Sequence, residues 1–353
     1  MMLLVATNVI ALVNADPDFY LPDPFRGMAI GLLLTFLVTT FVPWSFLRNT
    51  VRLLVAVLVT AVLLLELKAG APQEPNSSIQ VADDPLLRYH YAPGGGLGDI
   101  EGNSQGLADL ERDLAKPDDV IRVAILTGSI ANDGSIPFEE RFFRRLEHMV
   151  EDVVPGKRVE VINVSCEGYS TLEQVRFLET VGLRYDPDVV IVAFMLTAAS
   201  FQHGGYRRIG NSFFAFRFLP MLSVASEGSI CPLFAPFFDS YTFELVVQNP
   251  LERLQLLSQI HDFETLFASM PVLEEFDDPH CQRLYERAEQ AATNAGIDII
   301  SVVDGFVGTP YTDFVKEGQR WDMCHPNSAG HQRIAEGLAA GLTPVLQSLS
   351  EKL

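Results

Sequence analysis

The amino-acid sequence predicts an α/β protein with a doubly wound parallel sheet, preceded by an N-terminal transmembrane hairpin. Two observations carry the sheet: short apolar, β-branched runs of strand length appear after residue 120, and helix-period segments separate them. The hairpin rests on a third, two long apolar runs ahead of residue 68.

The strand candidates are RVAIL (122–126), EVIN (160–163), VVIVAF (189–194), IDIISVV (297–303) and a weaker TLFASMPV (265–272). They are apolar on both faces, as parallel strands covered by helices on both sides require. Between them, residues 138–154 place Phe138, Phe142, Leu146, Met149 and Val153 on one helical face. Residues 171–183 do the same with Leu172, Val175, Leu178 and Val181, with Thr171 near the start. Segments 281–295 and 328–348 complete the set. In such sheets ligands bind beyond the carboxyl ends of the strands, so the residues after each strand are where chemistry is expected.

Charge and hydropathy bound the rest. The 353 residues hold 45 acids against 25 bases, a net charge of −20, so no basic stripe exists to neutralise phosphates and nucleic acid is excluded as a partner. The mean hydropathy of +0.20 is high, and the N-terminus holds most of the excess. GMAIGLLLTFLVTTFVPWSFL (27–47) is uncharged between Arg26 and Arg48 and long enough to span a bilayer core. VRLLVAVLVTAVLLLEL (51–67) is shorter, with Arg52 and Glu66 at its ends where they reach the interface. The uncharged residues 1–15 are a candidate third crossing. No clean cleavage site follows the long run, which starts late, so a signal peptide fits badly. The turn RNTVR (48–52) carries two arginines, whereas DPDFYLPDPFR (16–26) carries three acids and one base. Positive charge stays cytoplasmic. The expectation is a protein anchored in the inner or plasma membrane, with everything after about residue 68 extracytoplasmic or periplasmic. The domain reading is a membrane anchor over 1–68, a linker and lead-in over 69–120, and a soluble domain over 121–353 with an insertion at about 201–262. AGAPQEPNSSIQVADDP (69–85) reads as linker by composition.

Four strand-end loops carry reactive groups. The first strand ends in Thr127-Gly128-Ser129 and the second runs from Asn163 into SCEGYS with Gly168. The third ends in Met195-Leu196-Thr197, and the last loop, WDMCHPNSAGH (321–331), sets Asp322 three residues before His325. Taken singly, each has an ordinary structural reading: Gly-Ser often follows a strand, Gly168 serves a turn, and His331 is a surface or supporting group. Together, a serine, a histidine and an acid on one rim are the parts of nucleophilic acyl chemistry. The histidine takes the serine proton and the acid holds the imidazole in the right tautomer.

These blocks resemble the SGNH hydrolase superfamily, also called the GDSL family. Thr127-Gly128-Ser129 is similar to its Gly-Asp-Ser block, NVSCEGYS (163–170) to its glycine block, and DMCHPNSAGH (322–331) to its Asp-x-x-His block. The resemblance covers roughly residues 85–348. It implies a three-layer α/β/α sandwich of flavodoxin-like type and an ester-cleaving or acyl-transferring activity. It further implies Ser129 as nucleophile, His325 as base and Asp322 as its orienter, with the amides of Ser129 and Gly168 donating to the oxyanion. After PDVVIVAF the family expects Gly-x-Asn-Asp, and this chain has Met195-Leu196-Thr197-Ala198. Thr197 therefore takes the place of the third oxyanion donor, with a shorter reach. The expected partner is an ester, or an acylated glycan or lipid, with the membrane engaged through the N-terminal helices. No cofactor and no metal are implied. Glycan O-acetyl transfer is one rival, and an accessory protein that keeps the fold with weak catalysis is another. The aromatic stretch FFAFRFLPMLSVASEGSICPLFAPFF (213–238) is read either as a wall for an apolar substrate or membrane face or as a buried insertion. The four cysteines lack zinc-ribbon spacing. Cys166 and Cys324 both lie near the expected rim and are the candidate disulfide pair.

Overall fold

The computed structural model describes residues 79–352, apart from 83, 85, 88, 98, 99, 200–230, 232, 233, 239, 240, 275 and 319–321. The expected transmembrane hairpin (1–68), the start of the linker and most of the aromatic stretch lie outside the described residues. Among the described residues no helix is long and apolar enough to cross a membrane.

Two small antiparallel hairpins lead in: β1 (Ile79–Val81) with β2 (Tyr89–Tyr91), and β3 (Gly96–Leu97) with β4 (Ile100–Glu101). Residues 79–81, which composition placed in the linker, thus belong to a strand. The main sheet follows with β5 (Val120–Leu126), β6 (Arg158–Asn163), β7 (Val189–Phe194), β8 (Glu264–Ser269) and β9 (Asp298–Ile300). All its pairs are parallel, in the order β6-β5-β7-β8-β9. Counted along the chain this is the flavodoxin-like order 2-1-3-4-5, so the winding reverses between β5 and β7.

Side-chain alternation sorts the helices into layers. Ile121, Val123 and Ile125 face α1 (Phe142–Val150) and α5 (Ser328–Lys352), in a cluster with Phe142, Leu146, Ile334 and Leu338. Ala124 and Leu126 face the other way, toward α2 (Thr171–Thr180), α3 (Asn249–His261) and α4 (Pro279–Asn294), with Leu178, Leu254 and Leu284 in that cluster. The result is an α/β/α sandwich. Arg122 breaks the apolar run of β5 and is nonetheless 1% exposed. It donates to the carbonyls of Asp113 (2.7 Å), Leu114 (3.1 Å) and Tyr185 (2.7 Å) and to Glu160 (3.0 Å). A buried guanidinium is tolerated because its donors are met.

Several expectations need correction. IDIISVV is a strand only over Asp298–Ile300, and a 3-10 turn follows at Val303–Gly305. There α5 crosses so closely that a Cβ on Gly341 would lie 2.7 Å from Ile300, and one on Gly337 would lie 3.3 Å from Val302. The segment 138–154 is broken at Arg141, whose extended backbone (φ −68, ψ 145) separates a 3-10 turn from α1 and moves Phe143 and Val150 onto the buried face. The insertion ends well before residue 262, because α3 is the crossover helix between β7 and β8 and Phe238, Phe243 and Val246 belong to the core. The candidate pair Cys166–Cys324 does not form. Cys166 packs in the cluster on one face of the sheet and Cys324 against the cluster on the other. The disulfide joins Cys231 to Cys281, Cα–Cα 5.2 Å.

The lead-in is part of the core rather than a tether, with Leu107, Ala108 and Asp109 all buried. Asp109 accepts from the backbone N–H groups of Asn163 (2.8 Å) and Leu110 (2.7 Å). Burial pushes its carboxyl up to about 6, with the Arg112 charge opposing. A carboxyl raised on folding adds stability that is full below its unfolded value of 3.8 and lost as pH rises through about 6. The size of that loss is at most about 3 kcal/mol. Asp109→Asn removes the titration. In the full-length chain its melting temperature is therefore expected to gain on the wild type between pH 4.5 and 7.5, and a pH-independent difference would refute this.

Candidate active site

Ser129 sits at the end of the central strand. The Thr127 hydroxyl donates to the Ala193 carbonyl (2.7 Å) and ties the end of β5 to β7. The chain then turns, with Asn132 N–H donating to Ser129 O (3.0 Å), and this leaves Ser129 partly exposed between buried Gly128 and Ile130. Asn163 at the end of β6 donates through Nδ2 to Asn132 Oδ1 (2.7 Å), and Asn132 donates to Ser165 O (3.3 Å). The serine turn and the start of the Gly168 loop are thereby joined side to side.

His325 Nε2 lies 2.7 Å from Ser129 Oγ. Its Nδ1 faces Asp322, at 2.8 Å from Oδ1 and 3.0 Å from Oδ2. A ring nitrogen facing a carboxylate carries the proton, which leaves Nε2 to accept from the serine hydroxyl. Asp322 Oδ1 also accepts from the N–H groups of Cys324 (3.2 Å) and His325 (3.1 Å), so the acid holds the loop as well as the ring. Burial opposes its ionisation, yet the hydrogen bond and charge of His325, with the charge of Lys316, hold the carboxyl below the usual carboxylate range.

Sequence reasoning missed Lys316 and Asp133. Lys316 Nζ is 3.7 Å from Asp322 Oδ2 and pairs with Asp133 Oδ2 (2.6 Å) while donating to Ser135 Oγ (3.0 Å). This cation bridges the turn after Ser129 and the loop of Asp322. No local pattern marks it, since Lys316 and Asp133 are 183 residues apart.

The HPNSAGH run has a mechanical explanation. Asn327 caps α5 by accepting from Gly330 N–H (3.1 Å), and its own N–H donates to Phe314 O (2.7 Å). A Cβ on Gly330 would lie 2.4 Å from the Pro326 ring, so only glycine lets the first turn of α5 close against Pro326. His331, expected at the surface or in support, is fully buried. Its Nδ1 accepts the Phe142 N–H (3.1 Å) at the start of α1, and burial depresses its pKa to about 3, keeping it a neutral acceptor.

Gly168 lies in the turn Cys166–Tyr169, closed by Tyr169 N–H to Cys166 O (3.4 Å), with φ +67, a left-handed value that suits glycine. Ser170 and Glu173 then form a capping box that starts α2. Thr197 is partly exposed in the 3-10 turn Leu196–Ala199 after β7. Gly168 and Thr197 therefore follow the two strands that flank β5. Among the described residues, Cys231, Glu274 and Cys281 bring ligand-type atoms within 4.8 Å of one another, but the two sulfurs are bonded to each other.

Gly330→Ala is expected to destabilise the full-length chain by roughly 1–3 kcal/mol, the range for overpacking a tight contact, and to displace the His325 loop. Thermal melting checks the first, and a shift of the His325 ring signals in the NMR spectrum checks the second.

No protein-family profile matches the chain, and no curated protein does. In structure the chain is similar to several solved proteins, all under 25% identical to it. TesA is 13% identical with a TM-score of 0.41, over 64% of this chain and 99% of that one. An acetylxylan esterase from Geobacillus stearothermophilus, a catalytic mutant, is 14% identical with a TM-score of 0.43, over 65% and 95%. A protein described as a GDSL-like lipase from Parabacteroides merdae is 14% identical with a TM-score of 0.39, over 64% and 97%. At these values the strand order and the hydrogen-bond geometry, not the likeness, carry the functional argument.

Proposed function

We propose that the chain is an ester hydrolase in which Ser129 is the nucleophile, His325 the general base and Asp322 its orienter. The observation that carries this reading is the unbroken hydrogen-bond chain from Ser129 Oγ through His325 to Asp322. As Ser129 Oγ attacks the ester carbonyl carbon, its proton passes to His325 Nε2 and the carbonyl oxygen takes the negative charge. Asp322 stabilises the imidazolium that forms. Collapse of the tetrahedral intermediate breaks the ester C–O bond, and His325 gives its proton to the leaving alcohol. Water then repeats the cycle on the acyl-enzyme. The backbone N–H groups of Ser129 and Gly168 serve as oxyanion donors, with Thr197 as the third.

Thr197 favours a slow enzyme. Loss of one side-chain oxyanion donor costs on the order of 10²–10³ in turnover, and a threonine hydroxyl reaches less far than an asparagine amide. The acceptor is water in the first reading and a sugar hydroxyl in the rival one. The substrate class is an O-acyl ester on a glycan or lipid, reached from an N-terminal membrane anchor with the catalytic domain extracytoplasmic. The arginine-bearing RNTVR turn supports this placement.

Ser129→Ala is expected to abolish fluorophosphonate labelling of the full-length chain while leaving its circular dichroism spectrum unchanged. Labelling that persists would place the nucleophile elsewhere. Thr197→Asn is expected to raise turnover of p-nitrophenyl esters, and no gain from it together with no loss in Thr197→Ala would remove Thr197 from the site. For the topology, a phosphatase fused after Leu353 is expected to be active and a green-fluorescent fusion dark; the reverse would overturn the placement.

A further inference from the structure

The Gly168 N–H shares its peptide unit with the Glu167 carbonyl. That unit is trans and planar, so the direction of the carbonyl fixes the direction of the N–H, which points the opposite way. The Glu167 carbonyl accepts a hydrogen bond from the Tyr89 hydroxyl, across 78 residues of chain. The Glu167 carboxyl, 2% exposed, meets the Tyr91 hydroxyl. Tyr169, on the other side of Gly168, donates its hydroxyl back to Tyr89 O. The rings of Tyr89 and Tyr169 pack at 5.7 Å, and Tyr169 meets Phe177 of α2 edge-on at 5.6 Å. The turn that carries Gly168 is thus held on both sides by β2.

The strand doing the holding is itself confined. A Cβ on Gly106 would lie 2.6 Å from Tyr91 O, and one on Gly102 would lie 2.7 Å from Ala92 O, so residues 102–106 close directly over the end of β2. Tyr91 is fully buried in the core with Leu87 and Leu107. Burial raises the Glu167 carboxyl above its ordinary range, with the Tyr91 hydroxyl opposing.

We propose that Tyr89, backed by Tyr91 and Glu167, is a positioning residue that aims the Gly168 N–H at the oxyanion, so that the lead-in strand is part of the catalytic apparatus. This rests on the ester-hydrolase reading. A fixed peptide plane matters to the charge that develops in the transition state and little to the neutral ester, so its loss falls on kcat.

The test uses the purified full-length chain, p-nitrophenyl acetate and a trifluoromethyl ketone as transition-state analogue. Tyr89→Phe keeps the ring and removes one hydrogen bond, and is expected to lower kcat about tenfold, in line with the usual worth of such a bond, with KM within about twofold. Affinity for the ketone is expected to fall by the same factor as kcat. Glu167→Gln, which keeps an acceptor for Tyr91, is expected to recover most of the turnover that Glu167→Ala loses. Unchanged kcat in Tyr89→Phe overturns the inference, and so does a loss of kcat without weaker ketone binding. Loss of the near-ultraviolet circular dichroism signal in Tyr89→Phe assigns the hydroxyl to folding and overturns it too. A wild type without Ser129-dependent turnover of any ester overturns the hydrolase reading and this inference with it, whereas an active wild type with an indifferent Tyr89→Phe overturns the inference alone.

Discussion

The parallel pairing of β5 with β6 on one edge and β7 on the other is the constraint from which the rest of the molecule follows. Parallel neighbours need crossovers, and right-handed crossovers to opposite edges of β5 must run over opposite faces of the sheet. That puts α1 on one face and α2 on the other and opens a crevice at the carboxyl end of β5. Ser129 is the residue delivered to that crevice. The loops after β6 and β7 are its immediate neighbours because their strands are.

The two halves of the candidate triad come from the ends of the domain, 196 residues apart, and are joined by a single 2.7 Å contact. Its geometry depends on contacts that are not themselves chemical. His331 receives the Phe142 N–H and so ties the first turn of α5 to the start of α1. Lys316 bridges Asp133 and Asp322 and ties the serine turn to the acid loop. The Asn132–Asn163 pair ties the same turn to β6. Each is mostly buried, where hydrogen bonds and ion pairs are held rigidly and are costly to leave unmet.

Much of this was legible in the sequence. The run 189–194 coincides with β7, and RVAIL and EVIN lie within β5 and β6, because β-branched runs bounded by turn residues leave few alternatives. Asp322 and His325 were readable as a pair because three residues of spacing let a carboxylate reach both the ring and the intervening N–H groups. What failed did so for tertiary reasons. The run IDIISVV overstates β9 because Val302 and Val303 are apolar for the sake of α5 and the neighbouring core, not for a ladder. Residues 249–261 form the crossover helix α3, although nothing in their local pattern sets them apart from the insertion before them. Cys166 and Cys324 looked like neighbours because their loops share a rim, but their side chains pack on opposite faces of the sheet.

By itself the sequence determined what depends on near neighbours along the chain. That includes the strand and helix periods, the glycine at φ +67 in the Gly168 turn, the capping box at Ser170 and the Asp322–His325 pair. Such features are set by a few consecutive φ/ψ angles and side-chain reaches, and these travel with the local residues. Only the tertiary structure decided which distant groups meet: Tyr89 with Glu167, Lys316 with Asp133, Cys231 with Cys281. Those partners are chosen by strand order and by which face of the sheet each residue occupies, and no local pattern carries that choice.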